Sequence, residues 1–357
     1  MNVNTSPLCD NYTENVNFSD NCQYVFLENF DRKYKLIHGY LSASLCVFGL
    51  VNNITNSIVL TRKKMKNYMN QILLSIAISD IIKMTFYFIY TVYLNILTSP
   101  MPCDYPHSYF GVLFILLHTY VIICCHTIST MFILTLAAYR CKILHKSNHQ
   151  FFNQTSLGVK FPRILIVITI TIFIVSIPQL SIYDIKELKH LHYWFEQKSQ
   201  TELLLTIIFL VYGCFVKIFA PVALLIMSIY VIIKLNKSQL QYQKFFILKP
   251  LTNGKQTTSR FKKKRLTVCR SSIMLITIII CFILTEFPQG VINSITAVDS
   301  CFRDHAYIYL GDVMDLLVLI ESSINFILYC MMSEQFRTIF LSIIICTKTH
   351  QTNDSND

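Results

Sequence analysis

Charge is scarce in this chain. Only 14% of its 357 residues are Asp, Glu, Lys or Arg, against 53% hydrophobic, and no water-soluble domain of this length hides so large an apolar share in one core. The first 35 residues are polar and lack both an apolar h-region and a small-residue cleavage site, so no cleaved leader is expected there and the first apolar run is expected to act as a signal anchor. No internal repeat is visible, which argues against the many transporters assembled from repeated halves. Motifs of membrane-embedded catalysis are missing too. There is no His-Glu-x-x-His, and "YLGDVMD" lacks the Gly-x-Gly-Asp of intramembrane aspartyl proteases, so an enzyme built on Asp80, Asp312 and Asp315, or on two histidines as metal ligands, is set aside.

What is present is a set of apolar runs of bilayer length, about 36–60, 71–97, 109–139, 164–183, 203–233, 271–298 and 306–332. About 20 such residues span the roughly 30 Å of hydrocarbon as a helix. The expected fold is therefore an all-α membrane protein, a seven-transmembrane helix bundle. The net charge of +11 does not point to nucleic acid, because the basic clusters fall between alternate runs: "TRKKMKN" after the first, "RCKILHK" after the third, and "KKKR" before the sixth. Loops rich in Lys and Arg stay cytoplasmic. That places the N-terminus outside and the C-terminus inside, in a multi-pass protein of the plasma membrane.

The chain divides into a tail at 1–35, the bundle at 36–332, and a segment at 333–357 that begins "SEQFRTIFLSIIIC". Ser333 is a good helix cap, and the mixture of polar and apolar residues after it reads as a short amphipathic helix on the inner membrane face, with Cys346 a candidate palmitoylation site. The tail carries the sequons of Asn4, Asn11 and Asn17, whereas those of Asn53, Asn153, Asn236 and Asn353 fall in a span or on the inner side and are expected to stay bare. Of the 13 cysteines, Cys9, Cys22, Cys103 and Cys301 lie on the expected outer side, where disulfides persist; four cysteines allow three pairings.

Charges inside the spans are costly and are seldom without a function or a partner. Asp80 and Lys83 are three apart on one helical face, close enough to pair, and Glu321 can lie in the same layer. Together they form either a self-neutralising cluster or a switch. Lys217, four residues before Pro221, and Glu286, two before Pro288, are expected to turn inward, toward each other as a structural pair or toward a ligand. His118 and His126, eight apart, share a face of the third run. With Cys124 and Cys125 they match no recognised zinc spacing. They are taken as core histidines and as candidates for the wall of a ligand pocket, with no metal assigned.

Specific motifs run in order through this frame: "HGYLSASLCVFGLVNNITNSIVLTRKKM", "LSIAISD", "HTIST" with "LTLAAYR", "KIFAP", "TEFPQG", "LGDVMD", "SSINFILYC" and "QFRTIF". From His38 to Phe340 the chain resembles rhodopsin-like G-protein-coupled receptors, and within them the invertebrate myosuppressin, FMRFamide-type and sex peptide receptors. The resemblance implies an extracellular amidated peptide as ligand, heterotrimeric G proteins and arrestin as partners, and no cofactor. It places Arg140 at the position of the arginine in Asp-Arg-Tyr and gives Asp80, Asn325, Tyr329, Pro221 and Pro288 switch roles. In the family the aspartate helps bind a sodium ion, which Lys83 beside it would replace.

Departures accompany the matches. Tyr139 stands where an acid commonly precedes the arginine, Cys141 where a tyrosine follows it, and Val268 where the sixth helix is often acidic, so the usual partners of Arg140 are not in the sequence. Phe326 replaces the proline of Asn-Pro-x-x-Tyr. The bridge between third span and second outer loop is missing, since its position is Ile115 and residues 181–202 contain no cysteine; the preferred bridge is Cys22 to Cys301, with Cys9 and Cys103 as the second pair. The seventh run has no lysine for a retinal Schiff base. For a peptide bearing an arginine, Asp312 and Asp315 are the expected outer carboxylates, with Glu286 and Lys217 deeper; a chemosensory receptor for a non-peptide ligand is the alternative.

The charge pattern and sequons together make a test of topology. Glycosidase treatment should shift the mobility of the receptor, and the shift should vanish when Asn4, Asn11 and Asn17 are all replaced by Gln. A shift that survives the triple replacement would put a glycan on a loop assigned here to the inner side.

Overall fold

The computed structural model describes residues 25–97, 108–146, 161–189, 192–198, 200–248 and 280–353. Helix α1 (Val25–Leu60) is followed by a single 3-10 turn, Lys63–Met65. Next comes α2 (Tyr68–Thr91), which opens where the Asn67 side chain accepts the Asn70 N–H at 2.8 Å and runs on into a π-helical turn, Val92–Leu97. Helices α3 (Tyr109–Lys146) and α4 (Phe161–Leu180) follow. Helix α5 is one continuous run of three pieces, Glu202–Leu210, a π-helical stretch Val211–Phe219, and Ala220–Leu248. Residues 280–298 form the described part of α6; a π-helical turn, Phe302–Ala306, leads into α7 (Tyr307–Met332), and α8 (Glu334–Asn353) closes the chain.

Five helical stretches among the described residues are long and apolar enough to cross a membrane: Ile37–Leu60, Tyr68–Leu94, Tyr109–Ile143, Pro162–Leu180 and Glu202–Lys237. They coincide with the first five apolar runs to within a few residues. Helix α7 reaches about 39 Å at 1.5 Å per residue, enough to span, and its Asp312, Asp315 and Glu321 are all at least partly buried. With α6 between them the architecture is the expected all-α bundle of seven spans. Helix α1 begins well before residue 36, so the tail enters the bundle as a helical extension of the first span rather than as irregular chain.

Two local features depart from regular spans and plain loops. In α5, Pro221 has no N–H to offer the carbonyl of Lys217, and the backbone just before it widens so that the Ala220 N–H reaches the carbonyl of Phe215, five residues back. The segment 181–202, expected only as a loop, folds as an antiparallel hairpin of β1 (Tyr183–Lys189) and β2 (His192–Gln197). Cross-strand ion pairs hold it: Lys186 with Glu196, and Lys198 Nζ with Asp184 at 3.1 Å. Cys301 is disulfide-bonded. Its partner, and with it the pairings among Cys9, Cys22 and Cys103, lies outside the described residues, as do Asn4, Asn11, Asn17 and Val268.

Polar staples and one apolar cluster lock the bundle at the end away from the hairpin. Asn53 donates to the carbonyl of Ser322 at 2.9 Å and Asn52 to that of Ser323 at 3.1 Å, tying α1 to α7. Asn53 is fully buried, so its sequon cannot receive a glycan in the fold. Val59, Ile72, Ile128, Phe132 and Phe336 share one core cluster. Phe326, standing where a proline is usual, packs edge-on against Phe336 at 6.0 Å and Phe340 at 5.3 Å, so it anchors α8 beneath the bundle. Ser333 Oγ accepts the Phe336 N–H at 3.1 Å, which is the cap expected from the sequence.

Helices α5 and α6 come into close contact at Gly290, where a Cβ would fall 2.6 Å from Ile218 Cγ1 and 3.0 Å from the carbonyl carbon of Lys217. Backbone atoms cannot step aside as a side-chain tip can, so Gly290→Ala should destabilise the folded receptor by about 1–3 kcal/mol through overpacking. Thermal unfolding in detergent is the measurement, and an unchanged midpoint would show that the two helices separate freely.

Candidate functional site

The π-helical stretch of α5 carries Lys217, and the side chain ends wholly inside the bundle. An ammonium has three N–H donors, and Lys217 Nζ meets three acceptors: Glu286 Oε2 at 2.9 Å, His126 Nε2 at 2.7 Å and Gln289 Oε1 at 2.8 Å. Glu286 Oε2 also lies 3.0 Å from His126 Nε2. Exposure of Lys217, Glu286 and His126 is 1%, 0% and 1%, so this group is removed from water on every side. The Tyr212 ring adds its π face 5.3 Å from the ammonium. Lys217 and Glu286 thus meet, and the third helix supplies a partner that the sequence left unassigned.

A second charged layer lies beside the first. Lys83 Nζ is 3.1 Å from Asp80 Oδ1 and 3.8 Å from Glu321 Oε2, while Ser129 Oγ donates to Asp80 at 3.2 Å and Ser322 Oγ to Glu321 at 3.3 Å. The ligand atoms of Glu321, Glu286 and His126 lie within 4.8 Å of one another, so the two layers touch at Glu321. Buried charge therefore runs without a break from α2 through α7 to α6 and α5. Both layers already hold a lysine ammonium as their cation, which does not fit a further sodium at Asp80 or a metal at the His126, Glu286 and Glu321 group.

Above these layers is a cavity of about 380 Å³ on the hairpin side of the bundle. His126 and Gln289 form its floor, and Glu286 and Lys217 sit beneath them rather than in the wall. Tyr90, Tyr183, Phe209, Tyr212 and Tyr307 give it an aromatic lining. His118 is stacked on Tyr90 with centroids 4.1 Å apart and planes 7° from parallel, a packed histidine at the cavity edge.

The two aspartates of α7 meet different neighbours. Asp315 lines the cavity, and its Oδ2 accepts the Tyr87 hydroxyl at 2.9 Å. Asp312 lies 28% exposed beside His38 of α1, with Oδ1 3.8 Å from Nε2, and is not part of the cavity wall. Three residues rotate a helix by about 300°, leaving the two side chains roughly 60° apart. That angle suffices to aim one between α2 and the cavity and the other at α1.

At the α8 end, Arg140 is half-buried near the close of α3, and Tyr139 beside it packs edge-on to Tyr68 of α2 at 6.5 Å. Pro288 lies two residues beyond Glu286 on α6, and Pro221 one residue beyond the π-helical stretch of α5. Asn325, Tyr329 and Cys346 sit on α7 and α8 with side chains outside the described set. Gln289 and Tyr212 were missed in the sequence. Gln289 had a signal, being three residues from Glu286 on the same face of α6; Tyr212 had none that separates it from the other tyrosines.

The family description that matches this chain, over residues 40–347, is "Serpentine type 7TM GPCR chemoreceptor Srw". The chain is also 25% identical, over 367 aligned positions, to the G-protein coupled receptor dmsr-1 of Caenorhabditis elegans, an alignment that covers 91% of this chain and 71% of the relative.

Removing one member of a buried ion pair leaves the other charge uncompensated, at a typical cost of about 3–5 kcal/mol. Lys217→Met should therefore lower the thermal stability of the purified receptor by about that much, and Lys217→Met combined with Glu286→Leu should recover most of the loss. A single variant as stable as the parent would mean that water or a proton compensates Glu286 in place of lysine.

Proposed function

Because the chain belongs to the serpentine-type seven-transmembrane G-protein-coupled chemoreceptor family Srw, we propose that it is a receptor for a short extracellular amidated peptide carrying a cationic side chain, of the kind recognised by myosuppressin and FMRFamide-type receptors, within the rhodopsin-like class. The observation that carries this reading is the carboxylate of Asp315, partly buried in the wall of an aromatic-lined cavity. The carboxylates Asp80, Asp315, Glu286 and Glu321 outnumber the ammonium groups of Lys83 and Lys217, so a ligand group entering here gains by being positive. At about 380 Å³ the cavity falls in the range of ligand pockets. It accommodates the end of a peptide rather than its length. In this reading the N-terminus and hairpin are extracellular, and the end bearing Arg140 and α8 faces the cytoplasm at the plasma membrane, with G proteins and arrestin as partners there.

Signalling then amounts to a shift between two packings of the bundle. A cation bound at Asp315 lies above His126 and Gln289, two of the three groups that Lys217 holds; disturbing them loosens Glu286 from lysine and frees α6 to move about Pro288. A non-peptide chemical ligand is the second reading, favoured by the family's chemoreceptor description and by the aromatic lining. A panel of short amidated peptides and of small amines, screened through a promiscuous G-protein reporter, separates the two. Activation by amines alone would set the peptide aside.

A charge-assisted hydrogen bond in a desolvated site is worth about 1.5–3 kcal/mol. With an agonist in hand, Asp315→Asn should lower potency roughly tenfold to a hundredfold, and Glu286→Gln should act mainly on maximal response. If both respond as the parent does, the cavity charges are structural. Arg140→Ala should abolish G-protein activation while leaving ligand binding largely intact, and equal signalling by that variant would remove Arg140 from this role.

A further inference from the structure

A glycine within a helix is disfavoured relative to alanine, because its bare backbone loses more freedom on folding, so each helical glycine calls for a reason. For Gly49 the reason is contact, since a Cβ would lie 2.8 Å from both Met84 Cε and Ser323 Oγ. Gly213 and Gly290 are alike, with the nearest atoms 3.0 Å and 2.6 Å from a built Cβ. Gly311 differs. A Cβ there meets nothing within 4 Å, although the residue lies inside α7 and lines the cavity.

Its neighbours on the same helical face are Tyr307, one turn before, and Asp315, one turn after, and both also line the cavity. Side chains on a helix lean toward its N-terminus, so the Asp315 side chain leans over the turn that Gly311 occupies. A side chain at 311 would stand in the open space beside that carboxylate. With glycine the α7 backbone is bare there, and a ligand group can come flat against it.

We propose that Gly311 is a specificity-determining gap, the place where a cationic group of the ligand lies against α7 and meets the Asp315 carboxylate. The group is a guanidinium or an ammonium on an unbranched chain, since Asp315 is a carboxylate and Tyr183 and Tyr307 in the same lining add rings that attract a cation. An anion of equal size is repelled by Asp315. The proposal rests on the cavity being the ligand site, as argued above, and its test needs no agonist.

Gly311→Cys receptor in native membranes is treated with two methanethiosulfonates, one bearing trimethylammonium and one bearing sulfonate, and the modified fraction is read by mass. Each rate is divided by that reagent's rate with free 2-mercaptoethanol, and the parent receptor gives the background from native thiols. The cationic reagent should be favoured by at least about tenfold, as opposite charges a few ångströms apart require away from bulk water. Adding Asp315→Asn should bring the ratio close to one. Equal normalised rates in Gly311→Cys, or no modification above background in receptor that reaches the cell surface, would overturn the proposal. With an agonist, the series Gly311→Ala, Gly311→Val and Gly311→Leu should lower potency stepwise at unchanged surface level, and parental potency in Gly311→Leu would equally overturn it. A peptide panel without a hit would remove the peptide reading and leave the labelling result standing.

Discussion

The ammonium of Lys217, withdrawn from water and shared among Glu286, His126 and Gln289, is the constraint from which the upper half of the bundle takes its form. A lone charge in such a place would cost several kcal/mol, so α3 and α6 are obliged to present acceptors to the one point that α5 fills with its ammonium. Local features of the three helices are in keeping with this demand. Helix α5 widens before Pro221, a glycine at 290 lets α6 come within touching distance of α5, and the third helix turns a histidine rather than an apolar side chain toward the centre.

Such a cluster is stiff in one respect and bistable in another. Every donor of the ammonium is engaged, so small displacements are resisted, yet one ligand contact at His126 or Gln289 would change what the remaining acceptors share. The second layer cannot remain indifferent, because Glu321 belongs to both, within reach of Lys83 on one side and of Glu286 and His126 on the other. Charge thus provides a continuous physical route from the floor of the cavity toward the half of the bundle that holds Arg140. Below this route the packing is apolar, with Phe326 seated on Phe336 and Phe340 of α8.

The cavity owes its character to a division of labour between two neighbouring carboxylates. Asp312 faces α1 beside His38, while Asp315 is bonded to Tyr87 and lines the cavity. Of the two, the second is the one placed where a group in the cavity can meet it. Seven-transmembrane receptors of this family share a bundle, and the ligand each one takes must be decided by details of this size.

By itself the sequence determined where the first five membrane-length helices lie, since hydropathy along the chain is a local quantity and those apolar runs coincide with the helices found to within a few residues. It also determined which charges must be buried, and the Asp80 and Lys83 pair, whose partners are three residues apart on one helix. Only the tertiary structure decided which partner each remaining charge takes. His126 joins Lys217, Asp312 parts from Asp315, and the loop at 181–202 pairs with itself as a hairpin. The reason is geometric: periodicity fixes which residues share a face of one helix, but the rotation of each helix against its neighbours follows from close packing at positions such as Gly290 and from the demand that a buried ammonium find three acceptors.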